Sequence, residues 1–314
     1  RSYPFYVDAA FPIVQYKQIM DQFNQALING IMLGGFYAVM VLGFSIIWGV
    51  MGVINLAHGE LLMVGAYLTW MLNKEWGWEP FAAIIIVAPA MFALGYGLQY
   101  VLINRIIERP PLISLLVTFS LSIIIANVVK LIYTATPRSV NTMFDGFWRL
   151  GNITIPVTKS VVLVAALLIM AMLHLFLQRT RLGKSIRAAA QNREAARIVG
   201  IEINHVYAIT FAICVALTGV AGMLISPTQA VFPFMGPPLT LKAFAITALS
   251  GLGSIPGALM GGMMLGLVEI FIATYVPGIG TNLGIVASFV ILVVVLVTRP
   301  QGLFGGLKPV EQAH

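Results

Sequence analysis

The sequence predicts an all-α membrane protein, a polytopic helical bundle of eight or nine spans with broken or re-entrant segments. Of its 314 residues, 59% are hydrophobic and only 9% charged, against roughly 25% charged in a soluble domain. A chain of this length keeps too much surface to hide that apolar content from water, so lipid must solvate much of it. Long apolar runs recur, most of them near the roughly 20 residues a helix needs to cross the hydrocarbon layer. The charges collect in short gaps between those runs.

The runs fall at about 25–48, 56–72, 80–104, 112–134, 160–177, 205–227, 239–253, 256–276 and 281–298. Two of them, 56–72 and 239–253, are short and interrupted by polar residues or glycines, and a re-entrant reading of one leaves the count at eight or nine. Residues 1–19 lack a basic region followed by a clean apolar core, and Met20-Asp21 resembles a natural start. They read as an N-terminal extension or an expression scar. Residues 20–302 then form the membrane domain, with a basic loop at 178–204, and 303–314 form a tail.

The net charge of +7 does not point to nucleic acid, because the cations sit between apolar runs, as the positive-inside rule describes. The gap 178–204 carries Arg179, Arg181, Lys184, Arg187, Arg193 and Arg197 against Glu194 and Glu202. Arg105 and Arg109 mark a second basic gap, and Arg299 and Lys308 mark the tail. These three face the cytoplasm, and 73–80, 135–159 and 228–238 face outward with Trp76, Trp78 and Trp148 at the interface. Nine crossings put the N-terminus outside, and eight put it inside. The longest outward gap, 135–159, is either a docking surface for an external partner or an ordinary loop. Cys214 is the single cysteine, which excludes an intrachain disulfide and a cysteine metal site.

Two segments concentrate the polar chemistry. In 43–66, Gly49, Gly52 and Gly59 bracket Asn55, His58 and Glu60. Ionisable groups at membrane depth are costly unless they face protein or a watery path, and broken backbone there is tolerated only when buried or lining a cavity. The segment therefore reads either as lining for a translocation path or as a short turn in which His58 and Glu60 cap the next helix. In 244–266, Gly251, Gly253 and Gly257 form a second glycine-rich break. No strand precedes it and no acidic partner follows, so it is not a dinucleotide fingerprint. Gly257, Gly261 and Gly262 suggest close helix packing, and breaks near both ends of the chain hint at two related halves.

The basic gap predicts a short helix ending at Gly200, a natural position just past a helix end. It carries a cationic face (Arg187, Arg193, Arg197) and an alanine face (Ala188, Ala189, Ala190, Ala195, Ala196). Such a helix can seat its small face in a groove of a partner protein; the alternative, resting on anionic lipid, suits a larger apolar face. Lys130 and Lys242 are expected to snorkel at outward ends, and Glu269 to be a rim residue. No histidine pair has metal-ligand spacing and no Walker motif or nucleophile–base arrangement is present. Hydrolysis of ATP by this chain itself is not expected.

The stretches GVMGVINLAHGELLMVGAY (49–67), GKSIRAAAQNREAARIVGI (183–201) and LSGLGSIPGALMGG (249–262) resemble the permease subunits of branched-chain amino acid ABC transporters. The similarity runs from about Met20 to Gly302, and the N-x-A-H-G-E core is its most specific part. The resemblance implies a multi-pass protein of the bacterial inner membrane that works with a second related permease, two cytoplasmic ATPases and an extracytoplasmic solute-binding protein. No cofactor is expected on this chain; ATP and Mg belong to the ATPases. The stretch from Gly183 through Arg187, Ala188, Ala190, Arg193, Ala196 and Arg197 to Gly200 corresponds to the element that docks on an ATPase. Family members also carry urea, short amides or other amino acids, so the solute stays open. An ion- or proton-coupled carrier and a passive channel are the alternatives.

Overall fold

The computed structural model describes residues 10–251, 253–276, 280–299 and 303. Each of the nine apolar runs contains a helix: α1 (Ala10–Met51), α2 (His58–Trp76), α3 (Ile84–Val101), α4 (Pro111–Tyr133), α5 (Val157–Arg179), α8 (Ile203–Ile225), α9 (Gly236–Ser250), α10 (Ile255–Tyr275) and α11 (Gly280–Thr298). Two short helices, α6 (Arg181–Gln191) and α7 (Arg193–Ile198), occupy the basic gap, and strands β1 (Phe147–Leu150) and β2 (Ile153–Pro156) form an antiparallel hairpin before α5. Among the described residues six helices are long and apolar enough to cross a membrane: α1 from Lys17, α3 with its flanks, α4, α5, α8 and α10. The chain is an all-α membrane protein.

Burial separates centre from periphery. The apolar windows of α1 and α8 are 89% and 78% buried, whereas those of α3, α4 and α5 are 22–28% buried. The peripheral three therefore present Leu, Ile and Phe side chains outward, as lipid-facing helices do. Small residues bring the central helices together. Gly30, Gly34 and Ala38 of α1 meet Gly262 and Gly266 of α10 so closely that a methyl added at Gly266 would lie 2.4 Å from the Gly34 nitrogen. Gly65 of α2 likewise abuts Gly219 of α8.

The bundle has two distinct ends. At the hairpin end, Gln25 of α1 pairs in both directions with the Thr154 backbone, at 2.8 and 2.9 Å, and Asn73 of α2 with that of Asn141. Arg138 and Val231 join the segments before β1 and after α8. At the basic end, Arg193 and Arg197 both reach Glu108, so the two basic gaps of the sequence meet.

Several expectations change. The long gap 135–159 contains the β-hairpin, which an all-α reading did not include. The basic gap holds two helices, because Asn192 leaves helical geometry and its Oδ1 accepts the Ala195 N–H, capping α7. Gly200 follows with φ +85°, as a left-handed helix terminator does. Residues 10–19 continue α1 without interruption, and residues 1–9 lie outside the described residues. Of the tail, Leu303 is described, and its N–H donates to the Leu249 carbonyl.

Candidate functional site

The first break occupies the six residues between α1 and α2, beginning at Gly52 with φ +67°. Its depth follows from His58, whose ring Nε2 lies 2.8 Å from the Met40 carbonyl. Met40 stands three turns above the Met51 end of α1, about 16 Å at 1.5 Å per residue. The segment thus climbs back into the bundle as irregular chain, and α2 starts near mid-depth. Such backbone needs partners inside the protein. Thr118 of α4 accepts the Leu56 N–H and donates to the Ile54 carbonyl. Asn55 Oδ1 accepts the Ala57 N–H, and Thr240 of α9 accepts the Gly59 N–H at 2.8 Å.

Helix α9 meets α2 there. Its 15 residues span only about 22 Å, less than the roughly 30 Å hydrocarbon layer. Gly59 packs against the Gly236 carbonyl, and Gly236 against Glu60. The N-termini of two short helices therefore converge around Glu60, which is wholly buried, has the Ser122 hydroxyl of α4 as its hydrogen-bonding neighbour and pairs with no basic side chain among the described residues. Convergent helix N-termini favour negative charge. Glu60 lines a cavity of about 370 Å³ together with Ser122 and Asn127 of α4 and Thr240 of α9. The remaining walls are apolar, with Phe119, Ile123, Phe234 and Leu241 among them. Asn55 and His58 point elsewhere: both are buried, and His58 sits edge-on to Phe44 of α1.

The second break, between α9 and α10, lies at the basic end. Gly251 and Gly253 have φ of +88° and +72°. The Gly253 N–H donates to Ser45 Oγ of α1, and Ser254 caps α10 by accepting the Gly257 N–H. Gly257 itself packs against the Ser250 carbonyl. A cleft of about 220 Å³ joins Gly253, Ser254 and Pro256 to His174 and Gln178 of α5 and to Arg187 and Gln191 of α6. Arg187 and Gly253, far apart in sequence, share one cleft.

The alanine-rich basic stretch expected to dock on an ATPase has part of its small face turned inward. Gly183, Ile186, Ala189, Ala190 and Ala196 are buried against this chain's own bundle. Small residues let short helices lie close to the spans above them, so Ala189, Ala190 and Ala196 are occupied from within, while Ala188 is half-buried and Ala195 exposed. The outer face carries Lys184, Arg187 and Arg197, beside Ile198 and Val199, which are 85% and 75% exposed.

Lys242 and Glu269 are a pair rather than a snorkelling residue and a rim residue. Lys242 Nζ lies 2.9 Å from Glu269 Oε1, each side chain is 12% exposed, and Tyr37 of α1 donates to Glu269. Tyr37 lies 14 residues from the Met51 end of α1, about 21 Å, so this pair is also at mid-depth. Sequence reading passed over Thr240 and Tyr37. For Thr240 a signal existed: Gly236, Pro237 and Pro238, two to four residues before it, mark a helix start. For Tyr37 none did.

Residues 26–298 match the family model for the permease component of branched-chain amino acid transport systems. The high-affinity branched-chain amino acid transport system permease protein LivH of Escherichia coli (strain K12) is 32% identical over 90% of this chain and 96% of its own length. BraD, the corresponding permease protein of Pseudomonas aeruginosa, is 33% identical over 90% of this chain and 95% of its own. The ribose import permease protein RbsC of Escherichia coli (strain K12) is 27% identical over 74% of this chain and 73% of its own. No solved structure matches.

Proposed function

Because the chain belongs to the permease family of branched-chain amino acid transport systems, we propose that it is one membrane-spanning subunit of an ABC importer of branched-chain amino acids in a bacterial inner membrane. A second related permease completes the path, two cytoplasmic ATPases bind ATP and Mg and supply the work, and an extracytoplasmic binding protein delivers the solute. The chain makes nine passes, with its N-terminus outside; α2 and α9 count as passes together with the irregular segments that precede them. The path follows the cavity at Glu60, because a groove at that depth holding a carboxylate, a serine and an asparagine is costly against lipid and is closed by protein or water instead. Asn55 and His58 hold the broken segment that shapes it.

The observation that carries this reading is the cleft shared by Arg187 of α6 and Gly253 of the second break. A displacement of α6 by a cytoplasmic partner reaches the α9–α10 junction directly, and α9 runs from there to Glu60. Force and path are two ends of one short helix. The docking surface is the outer face, where Ile198 and Val199 offer an apolar knob next to Arg197.

The test is reconstitution in liposomes with the second permease, the ATPases and the binding protein. Leucine uptake is expected to require ATP and every partner. Uptake by this chain alone, or uptake indifferent to ATP, overturns the reading in favour of a carrier or channel. Ile198→Asp with Val199→Asp is expected to abolish recovery of the ATPases with the permease; unchanged recovery removes the docking assignment.

A further inference from the structure

Glu60 is the one wholly buried carboxylate among the described residues, and it pairs with no basic side chain there; the Ser122 hydroxyl of α4 is its hydrogen-bonding neighbour. An isolated buried carboxylate is strongly unfavourable unless something compensates it. The converging N-termini of α2 and α9 supply part of that compensation, but no basic side chain lines the adjoining cavity. Lys130 of α4 stands over the Phe234 ring, 5.6 Å from its centroid, and does not line the cavity either. The walls combine Ser122, Asn127 and Thr240 with Phe119, Ile123, Ala126, Phe234 and Leu241. At about 370 Å³ the space falls in the range of roughly 300–1,000 Å³ typical of small-molecule sites.

We propose that this cavity is a transient binding subsite for the primary ammonium group of the transported amino acid, with Glu60 as its counter-charge and the Phe119, Ile123 and Leu241 walls receiving the branched apolar side chain. The inference rests on the importer reading and assigns the polarity of the path. The cavity's charge pattern, one carboxylate and no cation, disfavours a solute whose only charge is a carboxylate. It accepts a cation attached to a branched hydrocarbon. The Ser122 hydroxyl keeps the attraction modest, because it competes for the same carboxylate. Modest attraction suits a path that must release its cargo.

Binding is separable from transport. The assembled permease–ATPase complex in nanodiscs, without binding protein, is examined by saturation-transfer NMR with leucine, 3-methylbutylamine (amine without carboxylate) and 4-methylpentanoate (carboxylate without amine). Leucine and the amine are expected to give signal and the acid none. Glu60→Gln is expected to weaken the amine signal by roughly tenfold, the order expected for a lost charge-assisted contact. Leu241→Trp, a substitution at a half-exposed wall position, fills the cavity and is expected to do the same without touching the carboxylate. It decides the question if Glu60→Gln does not assemble. An equal signal from the acid, displacement of the amine by equimolar sodium, an amine signal unchanged in the variants, or no amine signal from the wild-type complex overturns the proposal. Loss of ATP-dependent uptake across all preparations would instead strike the importer reading.

Discussion

Two glycine-rich breaks look alike in sequence and differ in place and in what they leave unfinished. The first, ahead of α2, sits near mid-depth, is gripped by threonines from α4 and α9, and leads to a carboxylate with no basic partner among the described residues. The second, between α9 and α10, sits at the basic end, and its polar groups on Gly253, Ser254 and Gly257 are paired within the protein. The second break has its described polar groups paired, and the first leads to a buried carboxylate without a cation beside it. The contrast teaches that glycine pattern alone marks where a helix stops, while depth and unpaired charge decide what the stop is for.

The largest effect is expected at the first break. A methyl added at Gly59 would lie 1.9 Å from the Gly236 carbonyl oxygen, a contact between two backbones that no rotamer change relieves. Gly59→Val is therefore expected to eliminate folded protein from the membrane fraction, measured by detergent-resistant monomer on size exclusion. Recovery at wild-type level would show that α2 and α9 are not pressed together there, and the comparison would lose its rigid member.

The mid-depth ion pair comes next. Removing one partner of a buried pair typically costs about 3–5 kcal/mol, whereas replacing both with apolar residues is often neutral. Lys242→Met is expected to destabilise by that order, and Lys242→Met with Glu269→Leu to recover most of it, in reversible unfolding in mixed micelles. If the double variant also fails, the pair holds more than its own charges, with Tyr37 as the candidate.

A smaller effect is expected from the grip on the first break. Thr118→Val keeps the shape of the side chain and strips partners from the Leu56 N–H and the Ile54 carbonyl. A cost of about 1–3 kcal/mol is expected for groups left unsatisfied, read as faster proteolysis between α1 and α2. Unaltered proteolysis would mean that water replaces the hydroxyl.

Much of this arrangement was legible in the chain. Hydropathy located every helix-bearing run, because lipid allows few alternatives to helix once length and apolarity are fixed. The break at 52–57 and the polar trio of Asn55, His58 and Glu60 were visible from glycine spacing and charge at improbable depth. Their different fates were not: His58 and Asn55 turn into the fold and Glu60 toward a cavity, which depends on side-chain direction across α1, α4 and α9. The alanine face was seen but assigned to a partner, since sequence shows that a face is small without showing which neighbour occupies it. The Lys242–Glu269 pair, 27 residues apart on two helices, was read as two interfacial residues because each run was considered alone. The hairpin before α5 was not foreseen, since 135–159 was read as either an external docking surface or an ordinary loop.

The second break offers the most discriminating and the gentlest substitution. Gly253 adopts φ +72°, where a residue with a Cβ pays about 1–2 kcal/mol. That cost falls on a junction at the end of the bundle rather than on a packed centre, so Gly253→Ala is expected to leave folding and ATPase recovery near wild type. Its consequence should appear in coupling. If the junction bends as α6 moves, restricting Gly253 narrows the conformations available to α9, and leucine uptake per ATP hydrolysed falls by several fold while basal ATP hydrolysis persists. If uptake and hydrolysis instead fall together, the junction is a static seam like the first break, and the contrast between the two breaks disappears.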